Sequence, residues 1–345
     1  MITELLSFFG LAVLLWRTQG WRYPKNIKID PKSLPKVSII VPCRNEESNV
    51  SELLYTLISL KNINSEIILV DDDSTDQTVA IAKRFKIQVI HAPPKPPNWV
   101  GKSWACWHGA NAATGEVLLF TDADTRHAST SLQQALSFML AEKAHLLTAP
   151  PFHRCKNSYE KLLGLFHVLP MVAASFNHSK NPNRIYAIGQ YLLFQREAYF
   201  QIGGHKTVAN SLTEDIDLAK TVVNGGLNYS IFPNSSLYQV QMYDDLRSFF
   251  HGWKRLLRLG MKKVGVISFV EITLVFHLFT QPSFAMIFGV GILAWLQKKH
   301  GAFSMAGAPL AILSVLVFTL LSIAAVIDSI LKRKVTWRKR SYADN

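Results

Sequence analysis

The chain is poor in cysteine and poor in charge. Three cysteines stand in 345 residues, Cys43, Cys106 and Cys155. They form no CxxC pair and no Cys/His spacing, which excludes a disulfide framework and a structural zinc site. A reduced, cytosol-facing catalytic part is therefore expected. Charged residues make up only 18% against 49% hydrophobic, with a mean hydropathy of +0.14. Because the apolar residues are clustered, these values exclude a plain cytosolic globule and a disordered chain. Acidic residues are the scarcer sign, 24 against 37 Lys and Arg, for a net charge of +13. The basic surplus flanks hydrophobic runs and no nucleic-acid motif accompanies it. Attraction to anionic lipid heads is its expected use, and no nucleic-acid partner is expected. There is no internal repeat, and no small-x-small cleavage site marks a signal peptide.

What is present begins with apolar runs at both ends. Ile2 to Trp16 carries one charge, Glu4, and is followed by Arg17, Arg22, Lys25 and Lys28. Residues 1–17 read as an uncleaved N-terminal membrane anchor, with an interfacial helix as the alternative. Val275 to Leu296 and Ala306 to Leu331 are nearly free of charge, and a basic tail, residues 332–345, follows. Charge bias then predicts a transmembrane hairpin over 275–331 with tail and catalytic domain cytoplasmic, in a multi-pass protein of the cell membrane. Residues 246–274 read as an interfacial amphipathic region. A third span broken near Pro282 is the alternative topology.

Residues 36–245 alternate short β-branched runs with helical patterns. Strands are expected at 37–42, 66–71, 86–92 and 116–124, and helices near 46–60, 75–85 and 102–113. This order predicts an α/β fold with a mostly parallel sheet covered on both faces. Ligands bind such sheets beyond the carboxyl ends of the strands. Here those ends are Arg44-Asn45-Glu46, Asp71-Asp72-Asp73 and Asp122-Ala123-Asp124.

Several groups at these ends carry chemistry. An Asp-x-Asp such as Asp122 and Asp124 can offer oxygens to a hard divalent cation whose shell is completed by substrate phosphates. Asp72 can accept hydrogen bonds from a nucleotide, while Ser74 and Thr75 suit the cap of the next helix. Gly101-Lys102-Ser103 is not a Walker loop, because Pro96 stands where that motif needs glycine. Lys102 can still meet a diphosphate from a helix start. Glu214, Asp215 and Asp217 lie near another helix start with Thr213 as its expected cap. They read either as ordinary N-terminal acidity or as a source of the general base. Trp253, Lys254 and Arg255 read as a membrane-interface belt, a cationic clamp on leaving phosphates, or both.

Taken together, VSIIVPCRNEE, EIILVDDDSTD, GKSWACWHGANAATGE, FTDADT and LTEDIDLA resemble family 2 glycosyltransferases with a GT-A fold, over about residues 36–260. PPNWVGKSWACWHGA and the later GWKR resemble the membrane-bound subgroup associated with carotenoid and hopanoid pathways. The resemblance implies a nucleotide-sugar donor, usually UDP-linked, held by Pro42, Arg44, Asn45, Glu46 and Asp72, with Lys102 on its phosphates. It implies Mg²⁺ or Mn²⁺ at Asp122 and Asp124, Asp215 as base within the TED-like motif that includes Glu214, and transfer with inversion. The Q-x-x-R-W motif of processive synthases is missing, and GWKR stands at the corresponding place. Transfer of one sugar to a hydroxyl of a membrane lipid or isoprenoid-type acceptor is the expected reaction. A polyprenyl-phosphate acceptor and a silent nucleotide-binding scaffold are the alternatives.

Overall fold

The computed structural model describes residues 1–18, 30, 33–174, 176, 181–243, 245–263, 265–337 and 340–342. Of the basic residues named above, Arg22, Lys25 and Lys28 lie outside them, as do Arg338 and Lys339 of the basic tail. The chain divides into two compact units, one of residues 21–152 and 180–240, the other of residues 1–20, 153–179 and 241–345.

The first unit is built on ten short strands, the last residue of β7 passing into the second unit. They are β1 (Val37–Cys43), β2 (Ser65–Asp71), β3 (Gln88–His91), β4 (Val117–Phe120), β5 (Thr125–His127), β6 (Leu146–Thr148), β7 (Phe152–His153), β8 (Leu192–Gln195), β9 (Tyr229–Ile231) and β10 (Tyr238–Val240). Seven of them form one sheet in the order β3-β2-β1-β4-β8-β6-β9, and β5 pairs with β10 separately. The first four strands are mutually parallel. β1 and β4 are buried along almost their whole length because both faces are covered, whereas the outer strand β3 is exposed at Gln88 and His91. Ile39 and Val41 pack with Leu53, Leu54 and Leu57 of helix Val50–Ile58. Ile40 points the other way, with Ala105, Cys106 and Ala110 of helix Gly101–Ala112. Burying each such aliphatic side chain contributes about 1.5–3 kcal/mol.

Strand β8 departs from the parallel pattern. It runs antiparallel to both β4 and β6, with Leu192 opposite Phe120. The start of β8 therefore lies beside the carboxyl end of β4, and the residues just before it are carried to the ligand-binding edge. The helix expected near 75–85 is confined to Thr78–Ala82. Ser74 and Thr75 do not cap it. Ser74 Oγ accepts from Asn45 N at 3.0 Å, Thr75 N donates to Asn45 Oδ1 at 2.8 Å, and Asp76 Oδ1 accepts from Thr78 N at 3.0 Å. The loop after β1 draws these groups sideways, so the carboxylate of Asp76 takes the capping role.

In the second unit, helix Ile2–Thr18 packs on helix Val266–Thr280. A Cβ added at Gly10 would overlap the Leu274 carbonyl, so glycine permits the close approach. Arg17 Nε donates to Glu271 Oε2 at 3.0 Å, and its second nitrogen meets Glu271 Oε1, in a buried pair. The continuous span expected over 275–296 is absent. The chain breaks at Gln281-Pro282-Ser283 between helices Val266–Thr280 and Phe284–His300, which are bent by 106°. Pro282 has no N–H to continue the first helix, and Ser283 Oγ starts the second by accepting from Met286 N at 3.1 Å. Among the described residues, Ala311–Ile330 alone is long and apolar enough to cross a membrane as one helix.

Helix Leu246–Met261 starts from a capping box between Asp245 and Ser248. Its buried face, Phe249, Trp253 and Leu257, packs with Phe166, Leu321 and Ala325. The rings of Trp253 and Phe166 meet edge to face at 5.0 Å.

Candidate active site

Three sequence segments far apart in the chain meet at the carboxyl end of β4. Asp122 follows the strand directly. Lys102 sits in the first turn of helix Gly101–Ala112, whose small residues let it lie close on β1 and β2: a Cβ on Gly109 would overlap Ile40. Glu214 and Asp215 open helix Glu214–Asn224. The Lys102 ammonium lies 2.8 Å from Asp122 Oδ1 and 2.9 Å from Glu214 Oε1, and donates to the Gly189 carbonyl at 3.4 Å. Its side chain is only 13% exposed. This lysine is thus no solvated surface charge. Its two carboxylate partners hold it firmly protonated against the opposing effect of burial.

Asp215 is anchored by the backbone. Its Oδ2 accepts from Gly189 N at 2.8 Å and its Oδ1 from Ile216 N at 2.8 Å. Burial first, and the neighbouring Glu214 carboxylate second, raise its pKa to about 7, against the lowering effect of Lys102 and the two N–H groups. A half-buried carboxylate titrating near neutrality suits proton abstraction. Thr213 precedes the helix as expected, but its hydroxyl makes no cap bond. Ser211 Oγ instead donates to Asp217 Oδ2 at 2.7 Å, which gives Asp217 a structural task.

Gly189 is the site residue that the motif reading missed. It precedes β8, and the antiparallel register brings it to Asp122; Thr121 Oγ1 donates to the neighbouring Gln190 carbonyl at 2.9 Å. A Cβ on Gly189 would stand 2.8 Å from Lys102 Nζ and 3.1 Å from Glu214 Oε1. The only sequence signal was an isolated glycine ahead of a short apolar strand.

A second group lies at the ends of β1 and β2. Arg44 approaches Asp72 at 4.0 Å. Burial raises the Asp72 pKa to about 6, although Arg44 opposes the rise. Asn45 and Glu46 are engaged within the loops. Asn45 takes up φ of 53° and accepts from Thr75, and Glu46 is buried, with its N–H on Thr78 Oγ1 at 2.7 Å. Pro42 is a residue of β1 itself. Asn45 and Glu46 thus tie the loops after β1 and β2 to one another.

Trp253, Lys254 and Arg255 belong to the other unit. There Trp253 packs in the aromatic cluster, and Lys254 Nζ pairs with Asp328 Oδ2 at 2.7 Å, beside Arg333 at 2.8 Å from Oδ1. Among the described residues, no group of three or more His, Cys, Asp or Glu side chains is arranged to hold a metal ion. Asp122 and Asp124 follow β4 two residues apart, and both are half-buried. Two hard carboxylates fit a divalent cation only if a ligand and water supply the other oxygens. On that donor chemistry the residues fit a cation bound together with a diphosphate.

Residues 38–203 match the family model described as glycosyl transferase family 2. Over 242 residues the chain is 29% identical to the 4,4'-diaponeurosporenoate glycosyltransferase of Staphylococcus haemolyticus (strain JCSC1435), covering 68% of this chain and 64% of that protein. The protein of the same name from Staphylococcus aureus (strain MRSA252) is 27% identical with the same coverage. The chain thus matches less than two thirds of the length of these relatives. Among solved structures, the mannosyltransferase PcManGT from Pyrobaculum calidifontis, in complex with GDP-Man and Mn²⁺, covers 95% of this chain and 99% of its own, with a TM-score of 0.59 at 18% identity. That likeness is one of fold, an α/β GT-A-like core with a mostly parallel sheet.

Proposed function

We propose, for a chain whose residues 38–203 belong to glycosyl transferase family 2, that it moves one sugar from a nucleotide-sugar to a hydroxyl on a membrane lipid or isoprenoid-type acceptor, with inversion. The observation that carries this reading is the convergence of Lys102, Asp122, Glu214 and Asp215 at one strand end. Binding of GDP-Man and Mn²⁺ by the mannosyltransferase supports the donor class, and the compound in the names of the relatives supports an isoprenoid-type acceptor; being a carboxylate, it does not bear on the hydroxyl.

In this reading Asp215, oriented by the N–H groups of Gly189 and Ile216, takes the acceptor proton as the acceptor oxygen attacks the anomeric carbon. Attack opposite the leaving group gives inversion. Lys102 offers a preorganised positive charge to the donor diphosphate. Asp72 and Arg44 hold the nucleoside, helped by the rim residues Pro42, Asn45 and Glu46. Asp122 and Asp124 would hold Mg²⁺ or Mn²⁺, which as a Lewis acid stabilises a leaving diphosphate. Trp253, Lys254 and Arg255 remain the cationic-clamp candidates of the GWKR motif, Trp253 being packed in the aromatic cluster and Lys254 paired with Asp328 within their own unit. The apolar helices of the second unit, Ile2–Thr18 and Ala311–Ile330 among them, would hold the enzyme at the bilayer that carries its acceptor, with the catalytic domain, residues 36–245, on the cytoplasmic side.

The test is incubation of membranes containing the protein with a panel of radiolabelled nucleotide-sugars, followed by lipid extraction and mass analysis. The expected result is one labelled lipid whose mass has grown by a single sugar. Label found only in water-soluble products, with every donor, would overturn the acceptor class.

A further inference from the structure

The carboxylate pair that fits a divalent cation is not equally available at both members. Asp122 is held by the Lys102 ammonium at 2.8 Å, and the same ammonium is held by Glu214 at 2.9 Å and by the Gly189 carbonyl. One positive charge therefore already sits against the carboxylate that a cation would use, in a pocket where the lysine side chain is largely shielded from water. Two cations a few ångströms apart at low effective dielectric repel strongly.

We propose that Lys102 serves as an internal stand-in for the cation, holding Asp122 and Glu214 together in the donor-free protein and yielding Asp122 only when a nucleotide diphosphate offers the ammonium a new anionic partner. Lys102 is then a positioning residue that orders the binding, diphosphate with or before the metal. Free divalent cation alone binds weakly. Gly189 enforces the arrangement, because any side chain there would push the ammonium out of its place between the two carboxylates. The same contact joins the donor side of the site to the base: Glu214, neutralised by Lys102, adjoins Asp215, whose Oδ2 rests on the Gly189 N–H. This inference rests on the glycosyltransferase reading for its diphosphate ligand, whereas the nucleotide-free arm of its test does not.

The test measures Mn²⁺ binding directly, by the electron paramagnetic resonance signal of free Mn²⁺ or by calorimetry, on the full chain in detergent without nucleotide. Lys102→Met removes the charge at similar volume. Gly189→Ala keeps the charge and displaces it. Both are expected to bind Mn²⁺ about tenfold or more tightly than wild type, since a like charge close to the ion no longer opposes it. With UDP or GDP present the wild-type protein should gain affinity for Mn²⁺, and Lys102→Met should gain much less, because it has no ammonium for the diphosphate to draw away from Asp122. If neither variant binds Mn²⁺ more tightly than wild type without nucleotide, the stand-in role is refuted, whether the common affinity is high or undetectable. Failure of wild type to take up Mn²⁺ with either nucleotide would instead count against the metal-assisted donor reading. Gly189→Ala guards against misfolding of Lys102→Met, which strands Glu214 without its partner.

Discussion

Replacing Asp215 with asparagine separates chemistry from stability at the site. In the native protein both carboxylate oxygens accept a backbone N–H, from Gly189 and Ile216. Asparagine keeps one acceptor and turns an NH₂ group toward the other N–H. A buried donor left without an acceptor costs about 1–3 kcal/mol. Against that stands the cost of the native charge. The folded-state pKa lies above the ordinary carboxylate value of 3.8, at about 7. The folded protein therefore binds this proton more tightly than the unfolded chain. Stability linked to Asp215 is full below the unfolded value and is lost as pH rises through the folded one. Above that pH the ionised Asp215 carboxylate works against folding, a cost the asparagine variant escapes. Asp215→Asn should thus melt no lower than wild type at pH 8, and relatively better there than at pH 5. Transfer should fall by about 10²–10⁴, the usual contribution of a positioned base, with nucleotide binding nearly unchanged. Thermal melts at the two pH values, with label transfer into extracted lipid, check both halves. Near-wild-type turnover would remove Asp215 as the base and favour an acceptor that is already an anion. A variant clearly less stable than wild type at pH 8 would show that the buried charge is not strained.

Other outcomes follow from the same geometry. Wild-type kcat/KM should climb as pH rises through about 7, where Asp215 loses its proton, and a flat profile from pH 5 to 8 would contradict the assignment. Asp124→Ala should abolish the dependence of nucleotide binding on Mn²⁺, measured by calorimetry with and without the ion. Glu271→Ala leaves Arg17 buried without its carboxylate and should cost about 3–5 kcal/mol, read as a lower melting temperature in detergent; Arg17→Met with Glu271→Leu should recover most of it. Burial works to raise the Glu66 pKa, but bonds from Ser38 and Thr114 and the charge of Lys36 outweigh it and bring the pKa down to about 2. Its contribution to stability is present above the ordinary value of 4.5 and disappears as pH falls toward 2. The Glu66→Gln variant should therefore lose less stability than wild type between pH 5 and pH 3.

Much of this was legible in the linear chain. The apolar runs 37–42 and 66–71 become β1 and β2 nearly residue for residue, because a strand covered on both faces must be apolar throughout. Asp122 and Asp124 were visible because they end such a run. Helix Gly101–Ala112 was placed within a residue of where it lies. Turn and cap details were not legible. Ser74 and Thr75 are good capping residues that the tertiary structure uses on Asn45, since a competing loop supplies acceptors and donors at closer range.

The residues by themselves determined that strand ends would be acidic, that a lysine would stand at a helix start, and that both ends of the chain would be rich in apolar helix. Only the folded chain decided which charges meet. The antiparallel β8 delivers Gly189 to Asp122 across some 67 positions of sequence, and Lys102 finds Glu214 across 112. Local patterns report which face of an element is buried. They hold no record of contacts set by strand order and register, and those contacts put the helix-start Lys102 between Asp122 and Glu214. At Pro282 the break given as the alternative topology is the one that forms: hydropathy sees one uncharged stretch, and the missing N–H of a single proline divides it into two helices, with a bend that only the folded chain sets.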